Sequence, residues 1–218
     1  MESESGAWEA GASAWVSFAR DDSKKAHDAA ICELLPPPAG LTLDVGCGEG
    51  RLTRMLKLLG YETIGFDRSE ALVDEARRAD PDSRYEVAAI DSLPVPDGEA
   101  ALAVCVNVLP HVAELDDALH ELARVLRPDG SLVLGLLHPV MLAGVYDEET
   151  DSLRVSRYFD AQPEAVPLGD VQVHHHHRTL EGYLRALFSA GFALDDLREV
   201  AGPTGTLPRY LDLRLRCR

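Results

Sequence analysis

Three glycines at alternate positions, directly after a compact apolar run, are the residues of this sequence best suited to bind a ligand. The stretch reads Leu43-Asp44-Val45-Gly46-Cys47-Gly48-Glu49-Gly50, and a helical pattern follows it. Glycines in such a turn let the backbone bend tightly and approach a bound nucleotide closely. The alternative is a tight turn without a ligand, which would not need three glycines and a preceding carboxylate.

The glycine spacing separates two classes of nucleotide ligand. The dinucleotide fingerprint requires glycine at its first, third and sixth positions, but the sixth position counted from Gly46 is Arg51. The G-x-G-x-G spacing, with Asp44 two residues ahead, resembles motif I of the class I S-adenosylmethionine-dependent methyltransferases. This resemblance implies that Asp44, Gly46, Gly48 and Gly50 belong to a loop against the methionine end of S-adenosylmethionine.

A carboxylate ends the second predicted strand, where a ribose ligand would lie. Asp67 follows Gly46 by 21 residues, and an acidic residue in this place binds ribose hydroxyls in dinucleotide folds. In the methyltransferases the matching acid does the same for S-adenosylmethionine, and we include the adjacent Arg68 in the cofactor site. Alternatively, Asp67 caps the next helix, a role that Ser69 also fits.

The stretch that should hold the adenine departs from the family pattern. Ala88-Ala89-Ile90-Asp91-Ser92-Leu93-Pro94-Val95 resembles the family's G-D-A-x-x-L-P-[FL], but the family's aspartate falls on Ala89. Ile90 is expected to supply apolar contact and a backbone N–H, and Asp91 is a candidate substitute for the missing carboxylate. Asp91 is equally suited to cap a turn.

Two further motifs follow in the order the family has them. Asn107 ends the fourth predicted strand and matches a family position that faces cofactor and substrate. The stretch Arg124–Leu132 is close to the structural element R-V-L-[RK]-P-G-G-x-L. The resemblance covers about Leu41 to Leu137 and implies S-adenosylmethionine as the cofactor.

Three histidines are candidate general bases, because imidazole titrates near physiological pH. His111 and His138 follow the fourth and fifth predicted strands, and a partly buried hydrogen-bonding role is the alternative for both. His177-Arg178-Thr179-Leu180 resembles the H-R-[TP]-L segment of type-11 small-molecule methyltransferases, so His177 or Arg178 is expected to face the substrate. Alternatively, the motif only starts a helix, for which Thr179 is a natural N-cap. The run His174–His177 predicts no metal site, because adjacent side chains on an extended chain point to opposite faces.

A mostly parallel sheet is needed to bring these residues together. Compact apolar runs alternate with helical periodicity, which predicts a doubly wound α/β sheet covered on both faces. With the resemblance, this becomes a three-layer α/β/α, Rossmann-like fold of seven strands that ends in an antiparallel hairpin. The predicted strands span residues 41–45, 62–66, 85–88, 100–106, 131–137, 193–200 and 207–217.

The chain is expected to form one domain over residues 1–218, with helices in 1–38 and a lid in about 138–178. Asp22 is the expected N-cap of a helix over 21–35. The segment 138–178 lacks long periodicity and exceeds the usual length of a connection, which is typical of a functional lid. An amphipathic helix upstream is predicted from Trp8, Trp15 and Phe18.

The net charge of the chain limits the classes of partner that it can bind. The 218 residues include 37 acids and 21 bases, a formal charge of −16, which disfavours nucleic acid and anionic membrane surfaces. The apolar runs are too short to span a bilayer, and the four separated cysteines suggest neither disulfides nor zinc. We therefore expect a cytoplasmic monomer or homodimer.

The residues together predict an S-adenosylmethionine-dependent methyltransferase that acts on an oxygen, nitrogen or carbon of a small molecule by in-line displacement. An NAD-dependent oxidoreductase shares the strand edge and the ribose acid but not the glycine spacing. A non-catalytic S-adenosylmethionine-binding module remains an alternative, because Ala89 stands where the family has its adenine-binding aspartate.

Overall fold

A computed structural model of the chain describes residues 4–19, 25–147, 149–150, 152–160, 162–202 and 205–218. Its helices are α1 (Glu4–Ala19), α2 (Lys25–Leu34), α3 (Arg51–Leu58), α4 (Glu70–Ala79), α5 (Leu115–Val125), α6 (Pro139–Leu142) and α7 (Leu180–Ser189). Its strands are β1 (Leu41–Val45), β2 (Glu62–Asp67), β3 (Arg84–Val87), β4 (Ala100–Val106), β5 (Leu126–Leu137), β6 (Gly144–Asp147), β7 (Ser152–Val155), β8 (Glu164–Leu168), β9 (Val171–His175), β10 (Phe192–Ala201) and β11 (Pro208–Cys217).

Seven of these strands form one sheet in the order β10-β11-β5-β4-β1-β2-β3. Strands β1 to β5 pair in parallel, whereas β11 runs antiparallel to both β5 and β10. The predicted doubly wound sheet with an antiparallel terminal hairpin is therefore confirmed. Because β4 lies beside β1, the order reverses there and leaves a crevice at the carboxyl edge, where ligands bind in such folds.

Both faces of the sheet are covered, as the apolar runs predict. Strand β4 shows this best, because its residues alternate between two cores. Ala103 and Cys105 pack with α5 and α7 side chains, including Leu119. Val104 packs on the other face with α2 and α3 residues such as Ile31. This alternation explains why the run carries no polar residue.

The segments around the sheet differ from the sequence prediction in two respects. Strand β5 already begins at Leu126, which pairs with Ala100, and the ladder shifts register before Ser131, in a stretch where Asp129 has a φ of 61°. The predicted lid contains the short helix α6 and two hairpins, β6–β7 and β8–β9, whose strands of four or five residues are too short to show periodicity. Asp22, the expected cap of α2, lies outside the described residues.

Capping residues place the helices at the crevice. Ser69 Oγ accepts a hydrogen bond from Leu72 N, 3.3 Å away, at the start of α4, and Thr179 Oγ1 accepts one from Gly182 N at 3.0 Å. Both are therefore N-caps, as predicted. No helix in the described part of the chain is long and apolar enough to cross a membrane.

Candidate active site

A cavity of about 240 Å³ lies at the crevice, between the ends of β1, β2 and β4 and the helix α1. It is lined by residues from distant parts of the sequence. Among the predicted site residues, those that line it are Gly46, Asp67, Arg68, Ile90, Asp91, Asn107 and His111.

The first glycine of the loop shapes the floor of this cavity. The N–H groups of Gly46 and Cys47 both donate to the Phe66 carbonyl, at 2.7 and 2.9 Å, so the loop folds back over the end of β2. Gly46 has a φ of 77°, and a Cβ there would lie 2.1 Å from Val108 Cγ2. Only glycine fits this position without moving the cavity wall.

The Asp67 carboxylate is fixed in orientation by the backbone. Its Oδ2 accepts a hydrogen bond from Gly48 N and its Oδ1 accepts one from Ser69 N, both at 2.9 Å. Burial raises the pKa of Asp67, and these two N–H donors oppose the rise because they favour the charged form. Each oxygen keeps a lone pair, so the carboxylate can accept further hydrogen bonds from hydroxyls of a ligand.

The other motif residues lie behind the cavity wall. Asp44 is buried and accepts a hydrogen bond from Thr53 Oγ1 at 2.5 Å, and burial raises its pKa to about 6. Gly50 directly precedes α3 and packs against Tyr85. A Cβ added to Gly50 would lie 2.8 Å from the Tyr85 hydroxyl oxygen. Gly48 orients Asp67 through its N–H. These residues therefore support the loop and do not line the cavity.

Residues 88–91, which the sequence predicts to hold the adenine, form another wall of the cavity. Ala88, Ala89, Ile90 and Asp91 all line the cavity. Ala89 offers no side-chain acceptor, so Asp91 is the carboxylate available on this wall.

Asn107 turns the chain at the end of β4. Its φ is 59°, a left-handed conformation that asparagine tolerates better than most residues, and its N–H donates to the Gly135 carbonyl at 2.7 Å. The turn aims residues 107 to 114 across the cavity.

Helix α1 closes the cavity from above, which the sequence reasoning missed. Trp8 and Trp15 line the cavity, and their rings meet edge to face with centroids 5.4 Å apart. The spacing of the two tryptophans indicates that both lie on one face of the helix, because residues seven apart share a helix face. Glu9 anchors the helix through Ser69 Oγ at 2.8 Å and Ala71 N at 3.0 Å.

His111 lines the cavity as a neutral imidazole. Its Nδ1 lies 3.1 Å from the His174 carbonyl oxygen, and since a carbonyl only accepts, Nδ1 carries the proton. Burial, with a contribution from His175, lowers the pKa of His111 to about 3. Nε2 is therefore left as an acceptor, and the ring is held edge to face against Trp8 at 4.7 Å.

The structure does not bring the other two histidines to the cavity. His138 Nδ1 accepts from Val140 N at 3.1 Å, its Nε2 lies 3.0 Å from Glu199 Oε1, and burial lowers its pKa. His177 Nε2 donates to the Tyr158 carbonyl at 2.9 Å. In the described ranges, no group of three or more His, Cys, Asp or Glu side chains is placed to hold a metal ion.

Residues 43–134 match the family model described as "Methyltransferase domain", type 11. A solved S-adenosylmethionine-dependent methyltransferase from Mesorhizobium loti has a TM-score of 0.76 and 26% identity, over 88% of this chain and 97% of that one. A structure of a similar enzyme from Listeria monocytogenes, at 24% identity over 89% and 99% of the two chains, has a TM-score of 0.77.

Curated relatives match over shorter stretches. The 27-O-demethylrifamycin SV methyltransferase of Amycolatopsis mediterranei is 35% identical over 154 residues, 66% of this chain and 55% of that protein. A mouse tRNA (carboxymethyluridine(34)-5-O)-methyltransferase is 34% identical over 103 residues, 45% of this chain and 15% of that protein. The chain spans between 36% and 54% of the first curated relatives' lengths.

Proposed function

Because the chain belongs to the class I S-adenosylmethionine-dependent methyltransferases, we propose that it methylates a small molecule bound beside Trp8 and His111. The observation that carries this proposal is that one cavity holds both the Gly46–Asp67 wall and the neutral His111 imidazole. A donor cofactor and an acceptor must share one such space for direct transfer, because the reacting atoms have to come into line.

The residues of the cofactor wall fit S-adenosylmethionine. Gly46 and Val108 both line the cavity and pack so closely that a Cβ on Gly46 would collide with Val108, and the oriented Asp67 carboxylate suits the two ribose hydroxyls. Ile90 and Asp91 would receive the adenine, with Asp91 in the role that Ala89 has lost. The bound cofactor supplies a methyl group already activated on a sulfonium, so the protein contributes mainly proximity and alignment.

The acceptor lies, on this proposal, against Trp8, His111 and Glu114. An indole face and the apolar side chains of Val112 and Ala113 favour a small organic molecule over a free ion. His111 Nε2 would accept a hydrogen bond from the attacking O–H or N–H and hold it in line. With a pKa of about 3, His111 is a weak base near neutral pH, so we assign it orientation first.

A small acceptor is favoured over RNA, although one relative acts on tRNA. The formal charge of −16 opposes approach of a phosphate backbone. Helix α1, held by Glu9, also covers part of the cavity, which favours a small acceptor over a polynucleotide.

Ligand-induced thermal stabilisation tests the cofactor assignment. We expect S-adenosylmethionine and S-adenosylhomocysteine to raise the Tm and NAD to leave it unchanged, since a ligand stabilises only the state that binds it. A rise with NAD alone would instead support the oxidoreductase alternative and overturn the proposal.

Product formation then separates an enzyme from a binding module. The protein is incubated with S-adenosylmethionine and pools of phenols, amines, carboxylic acids and a tRNA transcript, and S-adenosylhomocysteine is measured by mass spectrometry. Turnover with a small molecule supports the proposal. Turnover with tRNA alone refutes the acceptor class, and binding without turnover in any pool favours the module.

A further inference from the structure

The wall that carries His111 is held by the segment that follows β9. Three groups of contacts join residues 109–113 to residues 174–178. His176 N donates to the Pro110 carbonyl at 2.7 Å, and His111 Nδ1 donates to the His174 carbonyl at 3.1 Å. The third group comes from one side chain, Arg178.

The Arg178 guanidinium donates to four backbone carbonyls. Nη1 lies 3.2 Å from the Leu109 oxygen and 3.2 Å from the His176 oxygen. Nη2 lies 2.6 Å from the Val112 oxygen and 2.8 Å from the Ala113 oxygen. One planar cation thus joins both segments and binds carbonyls on either side of His111 in the sequence.

These contacts serve the loop and are not needed to start the next helix. Thr179 already caps α7 through Gly182 N, and Leu180 N donates to Tyr158 Oη at 3.1 Å. Three of the four carbonyls bound by Arg178 belong to residues 109–113. Two of those residues, Val112 and Ala113, line the cavity directly.

We propose that Arg178 is a positioning residue that sets the acceptor-side wall, His111 to Glu114, through the backbone carbonyls of residues 109, 112 and 113. This rests on the proposed function, because it assigns that wall to the acceptor. Its effect is transmitted through His111: a loop held in one place keeps Nδ1 on the His174 carbonyl and leaves Nε2 as an acceptor.

The His111 ring reports this role directly, without a known acceptor. We compare full-length wild-type protein with the variants Arg178→Ala and Arg178→Lys by ¹⁵N NMR of the imidazole nitrogens from pH 5 to 8. The His111 signals are assigned by their loss in His111→Gln. The matched control is Arg185→Ala, which removes an exposed arginine of α7 that pairs with Glu181.

We expect wild-type His111 to stay in one neutral tautomer, with Nδ1 protonated throughout. Arg178→Ala should give a mixture of tautomers, and Arg178→Lys a smaller change in the same direction, because an ammonium cannot reach four carbonyls in the geometry of a guanidinium. Arg185→Ala should match wild type. Affinity for S-adenosylhomocysteine should stay within about twofold in the Arg178 and Arg185 variants, since the Gly46–Asp67 wall is untouched.

Three results would overturn the positioning role: unchanged His111 signals in Arg178→Ala, equal changes in Arg185→Ala, or loss of cooperative folding in both Arg178 variants, which would make Arg178 a residue of the fold as a whole. Failure of wild-type protein to bind S-adenosylhomocysteine would refute the proposed function instead, and the His111 signals would still be read.

Discussion

The two walls of the cavity are built in opposite ways. The cofactor-side wall consists of the turns that directly follow β1 and β2, and backbone hydrogen bonds at Gly46, Gly48 and Ser69 fix it. The acceptor-side wall joins α1, residues 107–114 and the end of β9, three segments far apart in sequence, mainly through side chains. The first wall is therefore a local property of the chain and the second a property of the assembled fold.

This difference suggests that substitutions in the two walls have different consequences. A wall made of strand ends moves only if the sheet moves, because buried parallel strands are the most stable part of such a fold. A wall made of a helix and a lid segment tolerates substitutions without loss of the sheet. Changes in the first wall should therefore alter cofactor affinity, and changes in the second should alter the environment of the acceptor.

The largest effect is expected from Gly46→Ala. The new Cβ would lie 2.1 Å from Val108 Cγ2 at a φ of 77°, so either the loop or the cavity wall must shift. Strain and overpacking of this kind cost about 2–6 kcal/mol together, and we expect loss of S-adenosylhomocysteine affinity by roughly 100-fold or more in calorimetry.

Gly60→Ala is the matched control for this change. Gly60 also has a positive φ, of 90°, but nothing lies within 4 Å of its Cβ position. It should lower stability and leave affinity unaltered. Equal affinity losses in both variants would show that strain alone, and not the cavity floor, accounts for the effect at Gly46.

A smaller effect is expected from Asp67→Ala. Removal of the carboxylate leaves Gly48 N and Ser69 N without this acceptor and deletes the proposed ribose partner. An unmade buried hydrogen bond costs about 1–3 kcal/mol, which corresponds to an affinity loss of roughly 5- to 150-fold.

Asp74→Ala, an exposed change in α4 that removes the ion pair with Arg77, should bind S-adenosylhomocysteine like wild type. Unaltered affinity in Asp67→Ala would remove Asp67 from the ribose role and leave it as a structural residue of the turn.

A third effect concerns the second wall and changes stability with pH; it is absent at neutral pH. The pKa of His111 is lowered to about 3 in the folded state, below its value of about 6.5 in an unfolded chain. Between these two values the unfolded state binds more protons, so His111 lowers stability as the pH falls from 6.5 towards 3. The slope is at most about 1.4 kcal/mol per pH unit.

Denaturant unfolding of His111→Gln from pH 4.5 to 7.5 measures this contribution. The variant should lose stability less steeply with acid than wild type does, and the two should run parallel above pH 7. His120→Gln, in the exposed part of α5, controls for the loss of a histidine. Identical slopes for wild type and His111→Gln would show that the imidazole is not desolvated as the structure has it.

The difference between the two walls also explains which features could be predicted from the sequence. The alternation of strands and helices, the terminal hairpin and the Ser69 and Thr179 caps depend on local spacing, and the sequence predicts all of them. The order of the strands in the sheet was not among the predictions. Gly46 and Asp67 were identified because each follows a strand directly. Their ligand contacts stay predictions, as do those of Arg68, Ile90, Asp91 and Asn107.

The second wall could not be derived in this way. Trp8 and Trp15 were placed on an amphipathic helix, but nothing local indicates that this helix crosses the cavity. His138 and His177 were chosen because they follow predicted strand or lid segments, and their side chains turn to Glu199 and Tyr158 instead. Contacts over such distances in sequence leave no periodic signal.

Ser69 ties two equilibria together. Its backbone N–H donates to Asp67, while its hydroxyl donates to Glu9 of α1. Docking of the helix and occupation of the cavity are therefore thermodynamically linked, and linkage is reciprocal. The factor by which a ligand favours the docked state of α1 is the factor by which docking raises the affinity for that ligand. Loss of the Glu9 contact should therefore weaken binding by at most that factor.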